Sequence, residues 1–454
     1  MIQAISPCTR RFLPCNGVPM TFLSRNRKQP KLLRCADSLL FLSDWCFGRR
    51  LVLSEEEAIR KACRMTGLND FGTDLFRAPL KLICDSTHNG PPRRLLGRLQ
   101  LKGAVISSLA VLLKIQAEVT RHPEILDEEI RKPIFILGAP RTGTTLLHRL
   151  LARDPAHRAP RFWEMVEPFP PPEESTYEND RRIKKYKRAL SLLYYCVPEF
   201  KAIHDMSDMH EPEECLAITG NVLTNPMYSA IIDGYENWYS ENLDSKAVYE
   251  FHKLQLKVLQ WKFKRTRWVI KSPMHVEHIA SILDVYPDAC IIQTHRNPQE
   301  VIASTASLFY YFIKYYYTNP FELVDGFGDR ILDVIVRTLD KGLKQRKQIE
   351  NWRNALFYDL SYRDFIRSPI DALRDIYDAF GFEFSDLAAR RMKEYLDVTP
   401  KDKYGKHVYS LKQFGLDQVT LDSKFGNYRE HFSENGEFLN TFICGGNRIR
   451  RHFV

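Results

Sequence analysis

The stretch that most constrains this chain is residues 133–151, PIFILGAPRTGTTLLHRLL, where an apolar run, a glycine-bounded turn and a periodic apolar segment follow without a break. Ile134, Phe135, Ile136 and Leu137 suit a strand buried on both faces, and Leu146, Leu147, Leu150 and Leu151 recur at helical spacing. Strand, turn and helix in that order make a phosphate cradle. Gly138 and Gly143 let main-chain N–H groups converge on an anion, and the helix start adds the positive end of its dipole. The unit predicts an α/β fold: a P-loop-type parallel sheet flanked by helices.

Gly138 and Gly143 have Walker A spacing, but Thr144 and Thr145 follow where a lysine and a hydroxyl residue would stand. That lysine reaches the terminal phosphates of a nucleoside triphosphate, so its loss argues against ordinary ATP or GTP cleavage. The fixed cation here is Arg141, inside the loop, with the hydroxyls of Thr142, Thr144 and Thr145 around it.

A chain of 454 residues exceeds the ~250–300 at which single cores stop growing. We therefore expect a catalytic domain over 131–432, preceded by a helical cap region over 51–130 and followed by a tail over 433–454. Residues 1–36 hold seven basic residues and no Asp or Glu, which fits a disordered basic tail or a targeting segment over 1–50. The net charge of +10 favours anionic partners, a nucleotide or a membrane surface. The ten cysteines form no C-x-x-C pair, so reduced thiols are the default, and a cytoplasmic location is expected unless the basic N terminus directs the chain to an organelle. No run of about 18 apolar residues is uninterrupted, so no transmembrane segment is expected.

Ser54 ahead of Glu55, Glu56 and Glu57 marks a capped helix start, and the pattern stays helical to Thr120. In 159–165, APRFWEM, Glu164 sits beside Phe162 and Trp163 near the end of a short predicted strand. A carboxylate in apolar company can serve as a general base, and an ion-paired glutamate fits the same position. His204, Asp205, His210, Glu211, Glu213, Glu214 and Cys215 are ligand-type residues without metal spacing, so no metal is expected.

Two further buried strands end in chemistry-bearing residues, where open parallel sheets place their sites. Trp268, Val269 and Ile270 lead to Lys271, and the run from Ala289 to Gln293 leads to Thr294, His295 and Arg296. Pro298 then opens a helix carrying Ser304, so Arg296 and Ser304 can turn toward one anion. The aromatic run from Leu308 to Tyr317 suits core packing or an apolar acceptor pocket.

PRTGTT at 140–145 with HRNPQEVIAS at 295–304 resembles the two-part signature of sulfotransferases that use 3′-phosphoadenosine 5′-phosphosulfate (PAPS). The resemblance is to the PRSGTT-type branch, which includes tyrosylprotein sulfotransferases and small-molecule or lipid sulfotransferases. IKSPMHVEHI at 270–279, LFYDLSYRDFIRSP at 356–369 and VYSLKQFGLD at 408–417 extend it. It implies that Arg141, Thr142, Gly143, Thr144 and Thr145 hold the 5′-phosphosulfate and that Arg296 and Ser304 bind the 3′-phosphate. It puts Glu164 in the place of a catalytic base, with His275 as an alternative, and Arg141 and Lys271 as the catalytic cations on the transferring group. The implied partner is a small-molecule hydroxyl acceptor, apolar if the aromatic run lines its pocket, with peripheral membrane contact compatible and no nucleic acid expected. A P-loop kinase and a non-catalytic nucleotide-binding protein are the rival readings, and nothing signals an oligomeric state.

Overall fold

The structure, a computed structural model, describes residues 52–90, 93–196, 201, 205–317, 326–349, 356–399, 410–434, 437–438, 441–444 and 447–450. The basic segment 1–50 and His204 lie outside the described residues.

Among the described residues three helices form the cap: α1 (Glu55–Thr66), α2 (Arg77–Asn89) and α3 (Leu95–Arg121). Ser54 caps α1 as its sequence predicts, its hydroxyl accepting from the Glu57 N–H at 3.2 Å. Helix α3 includes a 25-residue window, Gly97–Arg121, long and apolar enough to cross a membrane, but half of that window is buried inside the fold. Val105, Leu109, Leu112 and Leu113 place it in the main core.

The sheet follows. Strand β1 (Ile134–Gly138) leads into α4 (Thr144–Leu151), β2 (His157–Arg158), the short helix α5 (Phe162–Val166) and α6 (Arg181–Cys196). After α7 (Ser245–Gln260) come β3 (Arg267–Lys271), β4 (Cys290–His295), α8 (Pro298–Tyr316), α9 (Phe327–Ile349), β5 (Leu356–Ser361) and α10 (Pro369–Phe380). Four short strands close the chain: β6 (Ser433–Glu434), β7 (Glu437–Phe438), β8 (Thr441–Cys444) and β9 (Asn447–Arg450).

The strand order is β2-β3-β1-β4-β5-β8-β9. The first five run parallel, and β8 and β9 add an antiparallel edge, Asp359 pairing with Thr441. The segment after 432, expected as a tail, therefore extends the sheet. Strand β1 is central, and its alternating side chains feed two cores. Ile134 and Ile136 pack with Leu147 and α10, while Phe135 and Leu137 pack with the cap and with α7, α8 and α9. Both faces are covered, which is why the run reads as continuously apolar. The chain leaves β1 toward β3 on one side and β4 on the other, and such a switch point opens a crevice at the strand ends.

The cap is tied to α8. The Arg94 N–H donates to the Tyr316 carbonyl at 2.8 Å, and the buried Arg93 guanidinium donates to the Ser86 hydroxyl at 2.8 Å and the Ile231 carbonyl at 2.7 Å.

Candidate active site

The loop between β1 and α4 is held open by its backbone. Gly138 has φ 146° and Gly143 φ 88°, and Arg141 itself takes a left-handed φ of 69°. A side chain at Gly138 would meet the Thr294 hydroxyl at 2.5 Å, so only glycine lets β1 and β4 close up there. The non-glycine left-handed turn at Arg141 is uncommon and marks a position the surroundings over-determine. Its side chain is exposed and lines the cavity described below. Thr145 is exposed at the helix start beside it. Thr142 is placed otherwise than expected: its hydroxyl donates to the Ala139 carbonyl at 2.7 Å and meets the Thr294 hydroxyl at 2.6 Å, so it braces the loop on β4 instead of facing an anion.

The second motif arrives from β4. His295 is buried, hydrogen-bonded to the Tyr428 hydroxyl at 2.6 Å and to the Asp359 carboxylate at 2.9 Å, while Arg346 donates to both oxygens of Asp359 at 2.6 and 2.7 Å. Burial would raise the Asp359 carboxyl, but the Arg346 guanidinium and the His295 hydrogen bond outweigh it and hold it well below the usual carboxylate range. This rigid base presents the next residue, Arg296, to the loop. The Arg296 guanidinium donates to the Arg141 carbonyl at 2.9 Å, joining residues 155 apart, stacks over the Tyr362 ring at 4.2 Å and pairs with Glu300 at 2.8 Å. Ser304 follows in α8, buried and not among the residues that wall the cavity.

Glu164 requires a correction. It stands in α5, not on a strand, is fully buried, and does not line the cavity. One oxygen accepts from Arg158 at 2.6 Å, and the other accepts from the Tyr177 hydroxyl at 2.6 Å and the Arg161 N–H at 2.9 Å. Three structural donors thus engage the carboxylate inside the fold. His275 is likewise buried, between the Cys215 thiol at 3.0 Å and the Tyr249 hydroxyl at 2.6 Å, and burial lowers its pKa well below the ordinary value.

Lys271 ends β3 level with Ile136 of β1, and its buried ammonium donates to Glu214 at 2.6 Å. Lys271 is not itself a wall residue; Glu213 and Glu214 are. Another wall carboxylate, Glu277, is pushed up to about 7 by burial, with Lys341 3.7 Å away. Among the described residues no group of His, Cys, Asp and Glu could hold a metal.

The cavity has a volume of about 1640 Å³. Its wall includes Arg141, Thr144, Thr145, Glu213, Glu214 and Arg296, the last hydrogen-bonded to the Arg141 carbonyl. The remainder is largely apolar, with Leu308, Phe309, Phe312 and Ile313 of α8 on one side and Ile331 and Ile335 of α9 on another. The aromatic run thus serves both alternatives: Tyr310 and Tyr311 are in the core, while Phe309 and Phe312 wall the cavity. Two arginines beneath a helix start suit an anionic group, and the apolar stretch suits a hydrophobic one.

Residues 133–386 match the family model described as "Sulfotransferase family". The omega-hydroxy-beta-dihydromenaquinone-9 sulfotransferase Stf3 of Mycobacterium bovis is 29% identical over 316 residues, which cover 66% of this chain and 74% of that relative. The crystal structure of sulfotransferase STF9 from Mycobacterium avium superposes with a TM-score of 0.76 at 28% identity, covering 84% of this chain and 97% of its own. Sulfotransferase STF1 from Mycobacterium tuberculosis gives 0.71 at 29% identity, with 84% and 100% covered. The match over the sheet, its loop and both anion motifs agrees with the geometry above, and this chain belongs to the sulfotransferase family.

Proposed function

We propose that this enzyme transfers the sulfuryl group of PAPS to the hydroxyl of an apolar, lipid-like alcohol: R–OH + PAPS → R–OSO₃⁻ + adenosine 3′,5′-bisphosphate + H⁺. The observation that carries the reading is the Arg296 to Arg141 hydrogen bond of 2.9 Å, which sets two cationic motifs on one end of one cavity. Two adjoining anion sites fit a nucleotide with phosphate at both the 3′ and 5′ positions. Bound PAPS supplies an activated sulfuryl group on a phosphate leaving group.

In this reading Arg141, Gly143, Thr144 and Thr145 hold the 5′ end, with Thr142 contributing through its backbone. Arg296 serves the 3′-phosphate; the resemblance adds Ser304 from α8, whose side chain is buried off the cavity wall. Glu214 takes the acceptor proton, and Lys271 positions its carboxylate at the end of β3. Transfer in line needs position and electrostatics more than covalent chemistry, and cations around the loop meet that need. The acceptor class rests on the apolar wall and on the relative named for an omega-hydroxylated menaquinone derivative.

The test is incubation with radiolabelled PAPS and a panel of long-chain, sterol, phenolic and sugar alcohols, beside Arg296→Ala. Label should enter the apolar alcohols and disappear in the variant. Equal labelling by the variant would overturn the donor site, and label confined to sugars would overturn the acceptor class.

A further inference from the structure

The cations on the outward face of α6 are not among the residues that wall the cavity. Lys184, Lys187, Arg188, Ser191, Leu192 and Tyr195 recur at helical spacing, and all are exposed. The opposite face, with Ile183, Tyr186, Leu190 and Leu193, packs on Trp163 and Tyr177. Lys185 is paired with Glu167, whereas Lys184, Lys187 and Arg188 make no ion pair among the described residues.

The outward stripe changes character along its length. It is cationic in its first half and ends in two large apolar side chains, Leu192 at 61% and Tyr195 at 67% exposure. Leu192 also walls the cavity, and so does Leu99 of α3, itself 48% exposed. Two helices therefore leave apolar side chains in solvent at the cavity mouth, with a cationic shelf beside them.

We propose that this face docks on an anionic membrane surface, with Lys184, Lys187 and Arg188 against the headgroups and Leu192 and Tyr195 at the headgroup–acyl boundary. A helix with a cationic polar stripe and apolar residues seated at that depth has the chemistry of an interfacial helix, and cations near an anionic leaflet each add to the attraction. A nucleic acid would satisfy the cations but leave Leu192 and Leu99 in water. Docking would open the cavity onto the layer that holds an apolar alcohol, a consequence that rests on the acceptor class proposed above; the docking itself does not.

The experiment is sedimentation of the full chain with phosphatidylcholine vesicles, with and without phosphatidylserine, comparing wild type, a Lys184→Glu/Lys187→Glu/Arg188→Glu variant and Leu192→Asp, each checked for fold by its thermal transition. Wild type should bind only the anionic vesicles, and charge reversal should weaken binding at least about tenfold. Leu192→Asp should weaken it at constant charge on the shelf. Binding unchanged by charge reversal, including binding carried wholly by the basic N terminus, would overturn the proposal. So would absence of vesicle binding, or a preference for a polynucleotide competitor that removes the chain from vesicles. The charge-reversal variant should keep wild-type turnover on a short, water-soluble alcohol and lose turnover on a long-chain alcohol embedded in vesicles. Vesicle binding without turnover on any alcohol would count against the proposed reaction and not against the docking face.

Discussion

Lys271 and Glu214 form an ion pair of 2.6 Å in which the lysine is buried and the glutamate reaches the cavity wall. The strand end fixes the lysine and the lysine fixes the carboxylate, so Glu214 is presented beside the anion loop in one orientation. Glu214→Gln should lower kcat by about 10²–10⁴, the usual contribution of a general base, with little change in the affinity for adenosine 3′,5′-bisphosphate. Rapid-mix turnover and equilibrium nucleotide binding measure the two quantities; a glutamine variant with wild-type kcat would remove Glu214 from the chemistry.

Arg158 and Glu164 form a buried pair at 2.6 Å, also packed beneath Tyr177. Breaking a buried pair from one side leaves an uncompensated charge and typically costs about 3–5 kcal/mol. Arg158→Met should therefore lower the unfolding free energy by about that amount, and Arg158→Met with Glu164→Leu should recover only part of the loss, because the Tyr177 hydroxyl, the Arg161 N–H and the Leu259 and Phe263 carbonyls lose their partners. Denaturant unfolding reads both. Loss of turnover in Glu164→Gln at unchanged stability would return the catalytic role to Glu164.

Much of this arrangement was legible in the sequence because local pattern and spacing carry it. The apolar run 134–137, the glycine pair and the strand ends at Lys271 and Arg296 all stand where the sequence puts them. The partners of Glu164 were not legible, because apolar neighbours in sequence do not reveal Arg158 and Tyr177, which reach it only after α5 forms. Glu214 was visible as a ligand-type side chain, yet its orientation depends on Lys271, 57 positions away. Thr142 turned inward because β4 supplies Thr294, another long-range partner. The pairing of β8 with β5 left no sequence signal, as two short strands at an antiparallel edge read like the rest of a basic tail.

Arg296 is shared between the Arg141 carbonyl and Glu300, which is more than half exposed. In the proposed donor mode a 3′-phosphate would compete with that carboxylate. Exposed ion pairs are worth about 0.2–1 kcal/mol, so Glu300→Gln should tighten adenosine 3′,5′-bisphosphate binding by at most about fivefold. Isothermal titration decides the matter. Weaker binding in the variant would mean that Glu300 orients the arginine.

Burial lowers His148, His252 and His278 to about 3 each, from an ordinary value of 6.5. His148 meets the Val269 carbonyl at 3.1 Å beneath the loop helix, and His252 the Tyr286 hydroxyl at 2.8 Å. In the unfolded chain these rings take up protons below about pH 6.5, while in the fold they stay neutral until about pH 3. The unfolded state therefore binds more protons throughout that window, and stability must fall as pH falls through it. At pH 5 each ring should remove on the order of 2 kcal/mol relative to neutral pH. Asp359, whose carboxyl is held low, keeps its contribution at pH 5 and gives it up only in stronger acid, below its unfolded value. Urea midpoints at pH 7, 6 and 5 should decrease in that order, and His252→Gln should flatten the slope between pH 6 and 5. An unchanged slope would mean that His252 is protonated in the fold and has a partner for its second ring nitrogen.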